Sequence, residues 1–438
     1  MSSTQTLTQR RTESAPLSFA ASSPKVTQIS QGGQVINRVP AHKPAFTVGD
    51  IRRAIPAHCF SRPLTKSFGY LFWDLFLVAV IFYASTFIDG VASEARFGAT
   101  LAPILRHVLW TVYWIAQGCV MTGLWVIGHE CGHRGFADSE FINDAVGLVV
   151  HSCLLVPYFA WQFSHKRHHS NTGSVEHDEV FVPRLATAEE RAAQAKKDTK
   201  IASSGQSVYQ HENEDGFIAT TLSTLNRMFY IVVMLTLGWP AYLFANITGN
   251  QSYHPHAWVN HFMPSSPIFT TGNSTDATQQ KLILLGDVSL LAVCGLLYKF
   301  VQLTSLSYVT YVFFIPYLIV NFWLVLITYL QHTDLNLPHY TDGEWDWLRG
   351  ALATVDRDYG IINLLLHHIT DTHVVHHLFH TMPHYHAEEA TAAVRPLLGD
   401  YYRYDATPIH KALWNSFRDC TILYPDHKQQ GVHWFEPK

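Results

Sequence analysis

Eight histidines fall in three short clusters: His129-Glu-Cys-Gly-His133, His165-Lys-Arg-His168-His169 and His373-Val-Val-His376-His377. On a helix, residues three and four apart share a face, so each cluster predicts two or three imidazoles aimed at one point. All three clusters lie within a few residues of long apolar stretches, where exposed polar side chains are costly. The pattern predicts a metal centre at the cytoplasmic face of a membrane protein. Any fold open to this chain must bring the clusters to that one face.

The composition agrees. Of 438 residues, 15% are charged and 48% hydrophobic, whereas soluble domains are about a quarter charged. A net charge of -4 without a basic run implies no nucleic-acid partner. Six scattered cysteines without a Cys-x-x-Cys pair read as reduced thiols. Residues 1–45 are rich in Ser, Thr, Gln and Arg and lack an apolar h-region. They are expected to form a disordered cytosolic tail, not a signal peptide. With no linker or repeat after them, 46–438 is expected to be one domain.

A helical span needs about 20 apolar residues. Candidates are about 68–88, 108–128, 142–160, 228–247, 282–303 and 308–330. If all six crossed, the clusters would face opposite sides and share no metal site. The 142–160 run separates the first two clusters and carries His151 and Pro157, so it is expected to be interfacial or re-entrant. The 228–247 run contains Gly238-Trp239-Pro240 and is the weakest of the remainder. The expected fold is therefore all-α and integral to a membrane. It has four transmembrane helices, two re-entrant or interfacial helices, and a cytosolic helical cap that holds the metals. Three glycosylation-type triplets, at Asn246, Asn250 and Asn273, would then face the cytosol unmodified.

Imidazole suits zinc, copper, iron and nickel. Eight clustered imidazoles exceed the four ligands of a structural zinc site and imply two metals. Glu130 projects about 100° from His129 on a helix, so it supports the site and does not bind metal. Neutral imidazoles leave the metals a high positive charge, which suits redox chemistry and favours iron, although spacing alone does not exclude copper. His151, in an apolar run, reads as a satisfied buried histidine. His367, His368, His380, His384 and His386 crowd the third cluster and read as supporting or surface groups. Asp371 is expected either to orient an imidazole or to cap a turn. A histidine-rich metal transporter is a second class of reading, but a transporter would place such ligands in mid-span.

The order of the three clusters resembles that of the membrane fatty-acyl desaturase and hydroxylase superfamily. The flanking text is similar to delta-12 (oleate) desaturases of fungi and plants: Trp125 to His133, Asp371 to Phe379, Met382 to Thr391, Val320 to Asp334, and Ile55-Pro-Ala-His-Cys-Phe60. The resemblance runs from about 45 to 425. It implies a di-iron enzyme of the endoplasmic reticulum membrane that makes linoleate from oleate in unsaturated fatty acid biosynthesis. It further implies O2 as co-substrate, an acyl-lipid substrate, and electrons from cytochrome b5, supplied by NADH through a reductase; a homo-oligomer is possible. The same scaffold supports omega-3 (delta-15) or bifunctional desaturation, and also hydroxylation or conjugation. By resemblance the metal ligands are His129, His133, His165, His168, His169, His332, His373, His376 and His377. His332 matches a ninth ligand of related acyl-CoA desaturases. Those enzymes carry an Asn four residues earlier, where this chain has Thr328, so a tenth ligand is in doubt.

Overall fold

The computed structural model describes residues 27–31, 34–204, 217–250, 252–253, 258–270 and 276–437. Seven helices carry the architecture. They are α1 (Leu64–Ser85), α2 (Glu94–Gly132), α3 (Glu140–Cys153), α4 (Tyr158–Asn171), α5 (Phe217–Ala245), α6 (Ala277–Leu303) and α7 (Ile315–His332). A short helix, Leu306–Val309, and a wide turn, Thr310–Phe314, lead into α7.

Among the described residues, five helical stretches are long and apolar enough to cross a membrane: Leu64–Val91, Glu94–Gly132, Thr221–Ala245, Ala277–Leu303 and Leu306–His332. Four coincide with the expected spans. The fifth carries the run 228–247, expected to be a re-entrant or interfacial segment, in one continuous helix. Gly238-Trp239-Pro240 fails to stop α5 because tertiary packing outweighs local propensity. Leu235, Trp239, Tyr242 and Leu243 are all buried in the main core, and Gly238 faces Val325 of α7.

The run expected to be re-entrant forms α3 and α4, bent by 108° at a short break. Leu155 in that break has a positive φ of 57°. Close approach of α2 to this pair depends on glycine: a Cβ on Gly128 would strike the His151 ring, and one on Gly132 would lie 2.6 Å from Trp161. At the end remote from the histidines, Ile88, Trp110, Tyr113 and Val312 form a separate cluster with Phe300 and Tyr308 against it. The far ends of α1, α2, α6 and the α7 stretch therefore meet.

Over the histidine end lies a cap that includes α8 (His373–Leu378) and α9 (Ala387–Leu398). Val374, Val375 and Leu378 pack there against Ile51, Ile55, Ala390 and Val394. The cap is not wholly helical as expected. Short strands β1 (Arg184–Leu185), β2 (His339–Tyr340), β3 (Ile422–Pro425) and β4 (Val432–Phe435) form one sheet in the order β1-β3-β4-β2. β1 runs parallel to β3, with Arg184 opposite Ile422. β4 runs antiparallel to β3, with Tyr424 opposite Trp434, and to β2, with His339 opposite His433. Strands of two to four residues are too short to show an alternating pattern.

Part of the expected tail is packed too. Ile36, Arg38, Val39 and Ala41 are buried, and Arg38 donates to the Phe435 carbonyl at 3.3 Å and to Glu436 at 2.8 Å. Packing against the cap thus begins before residue 46. Asn246 and Asn250 are buried, which leaves no room for a glycan, and Asn273 lies outside the described residues.

Candidate metal centre

The nine candidate histidines converge in two sets. Ring nitrogens of His129, His133, His165, His169 and His376 lie within 4.8 Å of one another, and so, separately, do those of His168, His332 and His377. His373 joins the second set, its Nε2 3.1 Å from Nε2 of both His332 and His377.

This division revises the expectation that each cluster aims at one point. A helix turns about 100° per residue, so positions i and i+4 are about 40° apart while i+3 and i+4 differ by about 100°. The i/i+4 pair therefore shares a set, and the i+3 histidine crosses to the other. On α4, His165 and His169 enter the first set and His168 the second. On α8, His373 and His377 enter the second and His376 the first. The end of α2 supplies His129 and His133, and the last turn of α7 supplies His332.

Two metal ions suit this donor arrangement. Nitrogens about 2.1 Å from a metal and at right angles lie about 3 Å apart. The Nε2–Nε2 separations are 2.8 Å for His129–His165, 3.2 Å for His129–His133 and 3.2 Å for His165–His169. The buried Nε2 of His376 has no hydrogen-bond partner. Burial, followed by repulsion from neighbouring imidazoles, pushes His133, His376 and His377 well below the ordinary histidine range. Neutral rings keep their lone pairs free for a metal.

In the second set, the nitrogens facing away are tied down. His168 Nδ1 is 2.6 Å from Asp178 Oδ1, His373 Nδ1 donates to the Ile369 carbonyl at 3.2 Å, and His377 Nδ1 is 3.2 Å from Thr172 Oγ1. Each contact leaves Nε2 directed at the shared point. Asp178 was not singled out from the sequence. It lies ten residues beyond His168, in a loop where its carboxylate also accepts the backbone N–H groups of Gly173 and Glu179 at 3.1 and 2.7 Å. Only an acidic residue soon after the second cluster could have signalled it. An Asp178→Asn variant should lose about tenfold in metal retention or turnover, read by metal content after dialysis and by product formation.

The remaining candidates take other partners. Glu130 binds the backbone N–H and Nδ1 of His384, at 2.8 and 2.7 Å. Asp371 lies 3.1 Å from His368 and His367 lies 2.7 Å from Asp74, so Asp371 orients no box imidazole. His151 Nε2 donates to the Trp125 carbonyl at 3.1 Å, but its buried Nδ1 has no hydrogen-bond partner, so the expectation of a satisfied buried histidine holds for one nitrogen only. His380 is nearest to the first set, its ring centroid 5.0 Å from that of His133. Thr328 Oγ1 donates to the Leu324 carbonyl of its own helix at 2.8 Å.

Beside the first set lies an apolar cavity of about 320 Å³, within the size range of ligand sites. Trp125, Trp161 and His165 close its metal end, and Met234, Leu324 and Val325 are among its walls. An apolar tunnel is what an acyl substrate calls for, but the sequence does not identify its lining, because the walls come from α5 and α7, which are far apart in the chain.

Comparison with known proteins gives consistent results. A family profile described as fatty acid desaturase matches residues 108–408. A delta(12)-acyl-lipid-desaturase of Punica granatum is 48% identical over 404 residues, 92% of this chain and 93% of that protein. An omega-6 fatty acid desaturase of Brassica juncea, named for the endoplasmic reticulum, is 45% identical over 409 residues, 92% of this chain and 94% of its own length. An oleoyl-12-hydroxylase of Ricinus communis is also 45% identical, over 407 residues, again 92% of this chain and 94% of its own.

Proposed function

We propose that this chain, which belongs to the fatty acid desaturase family, is a delta-12 acyl-lipid desaturase that turns an oleoyl into a linoleoyl chain. The observation that carries this reading is the apolar cavity ending at His165, itself one of the first set of histidines. An acyl chain has no polar handle near its middle. A dry slot of fixed length and bend can nonetheless place one C–C bond beside a metal.

His129, His133, His165, His169 and His376 would hold one iron, and His168, His332, His373 and His377 the other. When bound, the iron pair would supply the oxidising power of O2, with two electrons from cytochrome b5 reduced by NADH through its reductase. The overall reaction removes two hydrogens from adjacent methylenes and, with two electrons and two protons, reduces O2 to two waters. The chain's own residues bind and orient. Met234, Leu324 and Val325 exclude water, and the indoles of Trp125 and Trp161 bound the reacting end.

We further place the histidine face in the cytosol of the endoplasmic reticulum, with α1, α2, α6 and α7 as the four crossing helices. Support comes from the meeting of their far ends and from the return of the α3–α4 pair to the face from which it leaves. The C-terminal end of α5 is tied to the same face, where Tyr242 donates to the Glu179 carbonyl at 3.3 Å. Histidines at helix ends, not in mid-span, weigh against a metal transporter.

Hydroxylation is the second reading, because the Ricinus hydroxylase is nearly as similar as the desaturases. Expression in a microbial host that makes only monounsaturated fats, followed by fatty-acid chromatography, tests the proposal. A new 18:2 product with its second bond at carbon 12 is expected. A hydroxy product would sink simple desaturation, and 18:3 from supplied linoleate would indicate omega-3 activity.

A further inference from the structure

Two of the motifs noted in the sequence, Ile55-Pro-Ala-His-Cys-Phe60 and the stretch after Met382, have no part in the nine-histidine centre. In the fold they meet. The 3-10 turn Ala57–Phe60 carries His58 and Cys59, the turn His384–His386 carries His386, and the first turn of α9 carries Glu389. One donor atom from each of these four side chains lies within 4.8 Å of all the others.

We propose that His58, Cys59, His386 and Glu389 form a third metal site that takes a zinc ion. Two imidazoles, a thiolate and a carboxylate match the donor types of four-coordinate zinc, and a thiolate disfavours harder cations. His58 Nε2 lies 2.8 Å from Glu389 Oε2 and 3.7 Å from Cys59 Sγ. Edges of about 3.3–3.7 Å are expected around a zinc with bonds of 2.0–2.3 Å, so the His58–Cys59 edge already fits and the His58–Glu389 edge has to open by about half an ångström. His386 is edge-on to His58, with centroids 5.4 Å apart. It is held below the ordinary histidine range by burial and by Lys66, which keeps it neutral.

Metal binding would displace the Cys59 proton, and the resulting thiolate and the Glu389 carboxylate would then flank a cation that balances both charges. Cys59 is fully buried, while His58 and Glu389 are exposed, so an ion can enter from solvent and still reach the sulfur. The site would staple the turn before α1 to the segment after the third histidine cluster. That segment includes His384, the partner of Glu130 beside His129.

Cobalt(II) is a suitable probe, because a cobalt–thiolate bond gives a charge-transfer band in the near ultraviolet and an all-imidazole centre gives none. Purified full-length protein, iron-loaded, should develop this band at about one cobalt per chain, and zinc should abolish it. Cys59→Ser should lack the band. Glu389→Gln, at an exposed position, should weaken cobalt binding about tenfold while leaving the iron content unchanged. His386→Ala provides the same test should Cys59→Ser not fold. Absence of the band in the parent, or its survival in Cys59→Ser, overturns the proposal. Both results are independent of whether the enzyme desaturates, because the readout is a thiolate–metal bond and not a product.

Discussion

A His376→Ala variant is expected to fall below about one hundredth of the parent's product formation, since loss of a mere outer partner of a ligand already costs 10–100-fold. His376 is the single contribution of α8 to the first set of histidines. Its Nε2 is buried and without a hydrogen-bond partner, so truncation breaks no hydrogen bond at that nitrogen, although ring contacts with His129, His133 and His169 are lost. The cap should stay folded, because Val374, Val375 and Leu378 on the same helix remain in their apolar cluster. Metal content should fall well below two ions per chain. Metal analysis of purified protein beside fatty-acid chromatography of the host checks both. Unchanged diene formation would remove His376 from the metal centre.

The second large effect concerns the cavity. Gly238→Leu places a branched side chain against Val325 and Met234, whose atoms lie 3.6 to 3.8 Å from where its Cβ would sit. Leucine is the better helix former by about 0.8–1 kcal/mol, so α5 gains local stability while its cavity face is filled. Turnover on an 18-carbon chain should drop by about 100-fold, the scale of a misplacement of about 1 Å at a reacting centre. Both metal ions should be retained. The pair of measurements separates the variants: His376→Ala loses metal and product, Gly238→Leu product alone. Full turnover in Gly238→Leu would show that the acyl chain binds elsewhere.

The histidine clusters were legible because ligand spacing on a helix is a local property. His129 and His133, or His165 and His169, need only the helical repeat to come together. The division into two sets was not read in advance, since it depends on the 100° offset of His168 and His376 once the helices dock. The four apolar stretches ending in α1, α2, α6 and α7 were legible for the same local reason. Asp178 was hidden because its contact with His168 is made by a loop whose course is set by Gly173 and Glu179. Pro240 misled because an isolated helix would break there, whereas α5 is held by Trp239, Tyr242 and Leu243 in the core. The β1–β4 sheet in the cap was invisible for want of length, its edge pairing being made by residues more than two hundred positions apart.

The crossing of i+3 histidines from one set to the other makes α4 and α8 common property of both. An ion in the first set fixes the rotation of these two helices about their axes, which is also what the second ion requires. Part of the ordering cost of the second ion is then met by the first, and the same holds in reverse. Occupancy of the two positions would thereby be linked, and chains carrying a single ion would be disfavoured relative to chains carrying both or none.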